Sequence, residues 1–237
     1  MFDTFLKHLS QVPSMSDVEL LHFVKSDLFY ATMMIFVFGL LYKSARIFVL
    51  GIPKNRAKPK GSPFWATVKI LLLKPYFVLS FKDIRIRRAV TVIAGIIFHI
   101  AFLLLIFFIP QHSFVWYKLT GVQLPYFGAA ISNILAYGAV IALLALWINR
   151  VISPVTRILT GKDEHIANFL ILLALITGIF ANTWAGSGAY PKVLTLHILA
   201  AEALIVYIPF SRLSHFLTYF YSLAFYGRSL GISGARE

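Results

Sequence analysis

Cysteine is absent from the 237 residues, which excludes disulfides, thiolate zinc sites and iron–sulfur clusters held by this chain alone. Any such cluster belongs to a partner. Charge is scarce too: 13% of residues are charged against 59% hydrophobic, too few to cover a soluble surface. Acidic residues are the rarer sign, 9 against 22 Lys and Arg, for a net charge of +13. That excess does not imply a nucleic-acid partner, because the basic residues flank apolar runs and no soluble basic and aromatic face exists to bind one. Walker, Rossmann, zinc and nucleophile motifs are all missing. So are internal repeats, including the hydropathy echo of inverted-repeat transporters. The stretch Met1 to Asp27 lacks the basic, apolar, small-residue order of a cleavable signal, so the first apolar run is expected to remain in the mature protein.

Long apolar runs are what the chain has in abundance. Those near residues 28–50, 88–110, 127–149, 166–183 and 193–210 each approach the roughly 20 residues that cross a hydrocarbon core as helix. The expected fold is an all-α integral membrane protein with five transmembrane helices. Lys43, Arg46, Lys54, Arg56, Lys58 and Lys60 follow the first span, and Lys82, Arg85, Arg87 and Arg88 precede the second. Arg150, Arg157 and Lys162 lie between the third and fourth, and Arg212, Arg228 and Arg236 follow the fifth. The opposite segments hold only Lys7, Lys25, Lys118 and Lys192. By the positive-inside rule the N-terminus is outside and the C-terminus cytoplasmic, in the cytoplasmic (inner) membrane. Trp116, Tyr117, Tyr126, Trp184 and Tyr190 suit an aromatic belt at the outer lipid interface.

The expected organisation is an outer segment (1–27), a first transmembrane helix (28–50), a cytoplasmic loop with an interfacial helix (51–87), a transmembrane bundle (88–215) and a cytoplasmic tail (216–237). Pro53, Pro59 and Pro63 make Ile52 to Pro63 a loop. Phe64 to Phe81, interrupted by Lys69, Lys74 and Pro75, reads as interfacial with snorkelling lysines, a re-entrant segment being the alternative.

Four histidines sit in or beside two spans: His99 and His112 on the second, His197 and His215 around the fifth. An imidazole in a bilayer is costly without a partner, and axial ligation of haem iron is one use of it. His197 and His215 are 18 residues apart, about five helical turns and roughly 27 Å, on one helix face. His99 and His112, 13 apart, are rotated by about 220° on an ideal helix unless Pro110 kinks or ends it. Antiparallel spans pair the inner His99 with His215 and the outer His112 with His197, for two haems. The bland reading of any one ring is a hydrogen bond to a neighbouring helix. His8, His22 and His165 lie outside the spans as surface residues, and Gly178, Gly186 and Gly188 suit helix packing and a turn.

The stretch Leu196-His197-Ile198 with Ile208-Pro209-Phe210-Ser211-Arg212-Leu213-Ser214-His215 resembles the last helix of respiratory nitrate reductase gamma subunits, as Phe98-His99-Ile100 resembles their other haem-binding helix. That family holds two b-type haems between histidine pairs, which implicates His197 and His215. In the nitrate reductase pattern the other two histidines are closer together, and the position ten beyond His99 is Ile109. The 13-residue interval is similar instead to the cytochrome b subunits of sulfate-reducer transmembrane redox complexes, which work with a heterodisulfide-reductase-like iron–sulfur protein. Ala201-Glu202 and Arg157 to Asp163 add to the likeness, which covers residues 85–230 and is only general before them.

The resemblance implies a dihaem four-helix core and a b-type cytochrome subunit carrying electrons between a quinone pool, menaquinone or another quinone, or an outer multihaem cytochrome c, and a cytoplasmic iron–sulfur partner. Glu202, the one carboxylate well inside a span, is either on a proton path for quinol chemistry or a protonated hydrogen-bonding link between helices. Arg212 either pairs with a haem propionate or anchors the inner interface. Membrane lipids surround the whole. The rivals are a haem-free proton-coupled transporter and a simple membrane anchor subunit.

Overall fold

A computed structural model describes residues 5–6, 11–12, 15–50, 58–80 and 89–234, with 74–80 in backbone alone. Lys7, His8, Lys54, Arg56, Lys82, Arg85, Arg87, Arg88 and Arg236, as well as Phe81 and most of the Ile52 to Pro63 loop, lie outside the described residues. Those that are described form helices and turns, with no strand among them. Among the described residues five helices are long and apolar enough to cross a membrane: Asp17–Val49, Ala89–Phe108, Ala129–Ile152, Lys162–Thr183 and Tyr190–Phe210. They match the five apolar runs of the sequence.

The first differs most from expectation. Its helix starts at Asp17 rather than near residue 28, as α1 (Asp17–Phe23), a π segment (Val24–Leu28) and α2 (Phe29–Val49). Ser16 starts it: its hydroxyl accepts from the Glu19 N–H while the Glu19 carboxylate accepts from the Ser16 N–H at 2.8 Å, a reciprocal cap of the first turn. The remaining helices are α3 (Pro63–Ser80), α4 (Ala89–Phe108), α5 (Pro110–Thr120), α6 (Ala129–Ile152), α7 (Pro154–Leu159), α8 (Lys162–Thr183), α9 (Tyr190–Tyr207) and α10 (His215–Ser233), with short 3₁₀ turns at Ile208–Phe210 and Arg212–Ser214.

The chain divides into two compact units, one of Met1–Met33 with Val90–Val206 and one of Met34–Ala89 with Tyr207–Glu237. In the first, α6 packs on α8. Ala139, Ala142 and Leu143 of α6 are buried, as are Ala167, Ile171, Ala174, Leu175 and Ala181 of α8, at the three- and four-residue spacing of one helix face. Small residues let two backbones approach closely where lipid supplies no hydrophobic drive between helices. Polar links complete the packing: Asn182 donates to Asn133 at 2.9 Å and Asn149 to Thr91 at 3.1 Å. Both join opposite helix ends, so α8 and α4 run antiparallel to α6.

In the second unit, the segment expected to be a cytoplasmic tail is the 19-residue helix α10, packed along α3. Gly227 and Gly231 make this possible. A Cβ on Gly227 would stand 2.6 Å from the Thr67 Cα, and one on Gly231 2.5 Å from the Pro63 Cα. The Gly61 N–H donates to the Gly231 carbonyl at 3.0 Å and that of Lys60 to Ile232 at 3.1 Å. Gly227 and Gly231 stand four residues apart, the spacing at which small residues line a close helix contact. Lys43 of α2 donates to the Pro209 carbonyl at 3.2 Å, the Ser211 carbonyl at 3.0 Å and the Ser214 hydroxyl. Its ammonium has three donors and joins α2 to the turn after α9, where the Ser211 carbonyl also accepts from the Ser214 hydroxyl at 2.8 Å.

That break corrects the expectation that His197 and His215 share one straight helix. Pro209 cannot donate to the ladder, α9 ends at Tyr207, Ser211 is extended (φ −111°, ψ 178°), and His215 opens α10.

Candidate functional site

His112 and His197 lie together in the first unit, their ring centres 6.1 Å apart and their planes within 9° of parallel. The sequence placed His112 on the second span at a poor helical phase. It is on a separate helix: α4 ends at Phe108, Ile109 is extended (φ −100°, ψ 150°), and Pro110 stands in the first turn of α5. Pro suits that place, where its missing N–H would have no partner anyway. The 220° rotation therefore does not apply.

The folding back of α5 follows from hydrogen-bond accounting. The last carbonyls of α4 have no partners within the helix. His112 Nδ1 sits 2.8 Å from the Leu105 carbonyl, Trp116 Nε1 donates to Ile106 at 2.9 Å, and the Phe127 N–H donates to Phe108 at 2.8 Å. Trp116 also stacks on Phe107, ring centres 5.0 Å apart. Beneath them the fully buried Ser113 donates to the Leu124 carbonyl at 2.6 Å. His112 is thus held by the helix end that it caps.

His197 is held from α8. Its Nδ1 is 3.1 Å from the Ala174 carbonyl and 3.3 Å from the Thr177 hydroxyl oxygen. Gly178, expected only to serve packing, also makes room for the ring: a Cβ there would stand 3.0 Å from His197 Cε1 and 3.3 Å from its Nδ1. Ala174, Thr177 and Gly178 escaped the sequence reading as neighbours of His197, because nothing local in α8 says what packs on it.

A carbonyl can only accept, so each Nδ1 bonded to one carries its proton. The same holds for His99, 2.7 Å from the Gly95 carbonyl, and His215, 3.1 Å from that of Arg212. All four candidate ligands are therefore in the tautomer whose Nε2 bears the lone pair, as in metal sites where a backbone carbonyl orients the imidazole. His165 is the contrast, since the Trp147 indole donates to its Nδ1 at 2.9 Å and sets the other tautomer. His112, outside the spans, is also pushed below its ordinary pKa by burial, the Leu105 carbonyl opposing. Neutral imidazole is the ligating form.

The distance between the ring centres is close to what a metal held between two imidazoles would require. Metal–imidazole bonds of about 2 Å on each side, with each ring centre roughly 1 Å behind its nitrogen, put the centres about 6 Å apart. No group of three or more His, Asp, Glu or Cys able to hold a metal exists among the described residues.

His99 is exposed on α4 in the first unit; His215 and Arg212 are exposed in the second. Glu202 is buried on α9, 4% exposed, and neither carboxyl oxygen has a hydrogen-bond partner among the described residues. The reading of Glu202 as a hydrogen-bonded link between helices therefore fails within these residues. It lines a pocket instead.

No family model matches the chain, and no solved structure matches it. One relative, from Nitratidesulfovibrio vulgaris (strain Hildenborough) and described simply as "Protein", is 27% identical over 130 residues, which are 55% of this chain and 57% of the relative. The chain thus spans little more than half the length of the curated relative it matches.

Proposed function

We propose that the chain is a b-type cytochrome subunit of a membrane redox complex, similar to the nitrate reductase gamma subunits and to the cytochrome b subunits of sulfate-reducer complexes. It would carry electrons between a quinone pool, or an outer cytochrome c, and a cytoplasmic iron–sulfur partner. The observation that carries this reading is the near-parallel His112–His197 pair at 6.1 Å. The second pair, His99 with His215, rests on the sequence. Haem b, when bound, would supply a one-electron carrier.

The chain's own residues do the rest. The carbonyls of Leu105 and Ala174 fix the tautomer and direction of the outer imidazoles. Two imidazoles to each iron would leave no position open for a substrate. Arg212 is placed by its sequence position to meet a propionate.

The test is a pyridine haemochrome assay and a reduced-minus-oxidised spectrum on the purified chain. Two b haems per polypeptide are expected. None in a folded preparation overturns the reading in favour of a haem-free proton-coupled transporter. A finer check lies at Gly178. Gly178→Val is expected to push the His197 ring aside and deplete one b-type signal, whereas Gly178→Ala, which needs a shift of only a few tenths of an ångström, should keep both and move one midpoint potential. Spectra of the two variants under redox titration decide it.

A further inference from the structure

The charge of the chain is not spread evenly over it. Of its 22 Lys and Arg and nine Asp and Glu, the second compact unit holds fifteen and two, so the whole net charge of +13 falls there. The first unit holds seven of each and is neutral. Among the described residues of the second unit there is no Asp or Glu at all. Charge of one sign held on one part of a molecule attracts polyanions, to a degree set by salt.

In this unit α3 and α10, of 18 and 19 residues, are held together through Gly227 and Gly231. Neither is among the five helices long and apolar enough to cross a membrane. Tyr221, near the middle of α10, meets Phe48 edge-on with ring centres 5.3 Å apart, one residue before the candidate span Asp17–Val49 ends. The pair is thus tied to the level at which that helix would leave hydrocarbon. Its surface suits the same level. Thr67 of α3 donates to the Ala224 carbonyl of α10 at 3.4 Å, and Ile70 is buried. Trp65, Lys69 and Leu72, four and three residues apart, form the opposite, exposed face. Phe64 and Trp65 are 67% and 68% exposed, and Lys58 and Lys60 are exposed just ahead of α3.

We infer that this exposed face of the α3–α10 pair binds anionic phospholipid headgroups. Lys58, Lys60 and Lys69 meet the phosphates, while Phe64, Trp65 and Leu72 seat the pair among the upper acyl chains. Long lysine stems lying over apolar surface with their ammonium groups in water, beside aromatic rings at headgroup depth, are what an interfacial helix presents. The choice of Lys weighs against an acidic protein as the partner, since protein interfaces are depleted in it. A cation near an anionic leaflet contributes about 1 kcal/mol. Haem plays no part in this inference, which stands or falls separately from electron transfer.

The test is native mass spectrometry of the full chain released from nanodiscs of equal parts phosphatidylglycerol and phosphatidylcholine. The native chain is expected to retain phosphatidylglycerol over phosphatidylcholine by about fivefold or more, the factor that about 1 kcal/mol gives. The triple variant Lys58→Gln, Lys60→Gln, Lys69→Gln should lose most of that excess. Arg150→Gln, Arg157→Gln and Lys162→Gln together, which remove as much charge from the first unit, should keep it. In the native chain, phosphatidylglycerol brominated on its acyl chains should quench the Trp65 share of the fluorescence, taken as the difference from Trp65→Phe, more than brominated phosphatidylcholine does. Equal retention of the two lipids by the native chain overturns the inference and leaves the cations as an orientation signal alone. So does equal loss from both triple variants, which would assign the attraction to net charge rather than to this face. Polyglutamate bound by the native chain in phosphatidylcholine nanodiscs but not by the lysine variant, with no phosphatidylglycerol excess, would make the partner an acidic protein and also overturn it.

Discussion

His197→Ala is expected to remove about half of the bound haem and one of two b-type signals, and His112→Ala to remove the same signal. On the proposed reading a single iron would need both imidazoles, which lie 6.1 Å apart in near-parallel planes. Residues acting on one shared partner are not additive. The double variant should therefore lose no more haem than either single one. Losing the haem also removes a ligand that stabilises only the folded state, so all three variants should melt lower than the native chain. His165→Ala is the control, because Trp147 holds that ring in the opposite tautomer, and it should keep the full haem complement. The measurement is haem per polypeptide with redox titration at the b-type band. Different signals lost from His112→Ala and His197→Ala would falsify the pairing.

Gly227→Ala and Gly231→Ala should each destabilise the chain, against the sign of helix propensity. In a helix interior Ala is favoured over Gly by about 0.8–1 kcal/mol. Here the added Cβ would stand 2.6 Å from the Thr67 Cα or 2.5 Å from the Pro63 Cα. Backbone cannot swing aside as a flexible side chain can, so α10 must move off α3, breaking the Gly61 to Gly231 and Lys60 to Ile232 hydrogen bonds. Overpacking typically costs about 1–3 kcal/mol, and a clash with backbone belongs at the upper end; about 3 kcal/mol lowers Tm of a chain of this length by roughly 6–12 °C. Gly138 of α6 has nothing within 4 Å of where its Cβ would lie, and Gly138→Ala should be neutral or mildly stabilising. Thermal unfolding of the three variants in one detergent checks the contrast. Equal effects at all three positions would mean that α3 and α10 are not closely packed.

Much of the fold was legible in the sequence because the bilayer makes it so. Every backbone polar group in hydrocarbon must be satisfied within its own segment, so a long run without charge can only be a helix, and five runs became five candidate spans. Pro110 and Pro209 were legible as interruptions. What each interruption did was not. At Pro110 the chain restarts a helix that turns back to cap α4; at Pro209 it makes two 3₁₀ turns held by Lys43. One proline re-aims a histidine while the other separates two that a straight helix would align.

The histidines illustrate the same division. Their number, their order and their closeness to long apolar runs are properties of sequence. The tautomer of His197, the spacing of His112 and His197, the cleft that Gly178 leaves and the burial of Glu202 exist only once helices distant in the chain are packed. The physical reason is range. Hydropathy and helix-breaking act between residues near in sequence, so composition and order determine them. A hydrogen bond from His197 to Ala174, 23 positions away, or a Cβ excluded by a ring on another helix, depends on which faces meet, and that only the tertiary structure decided.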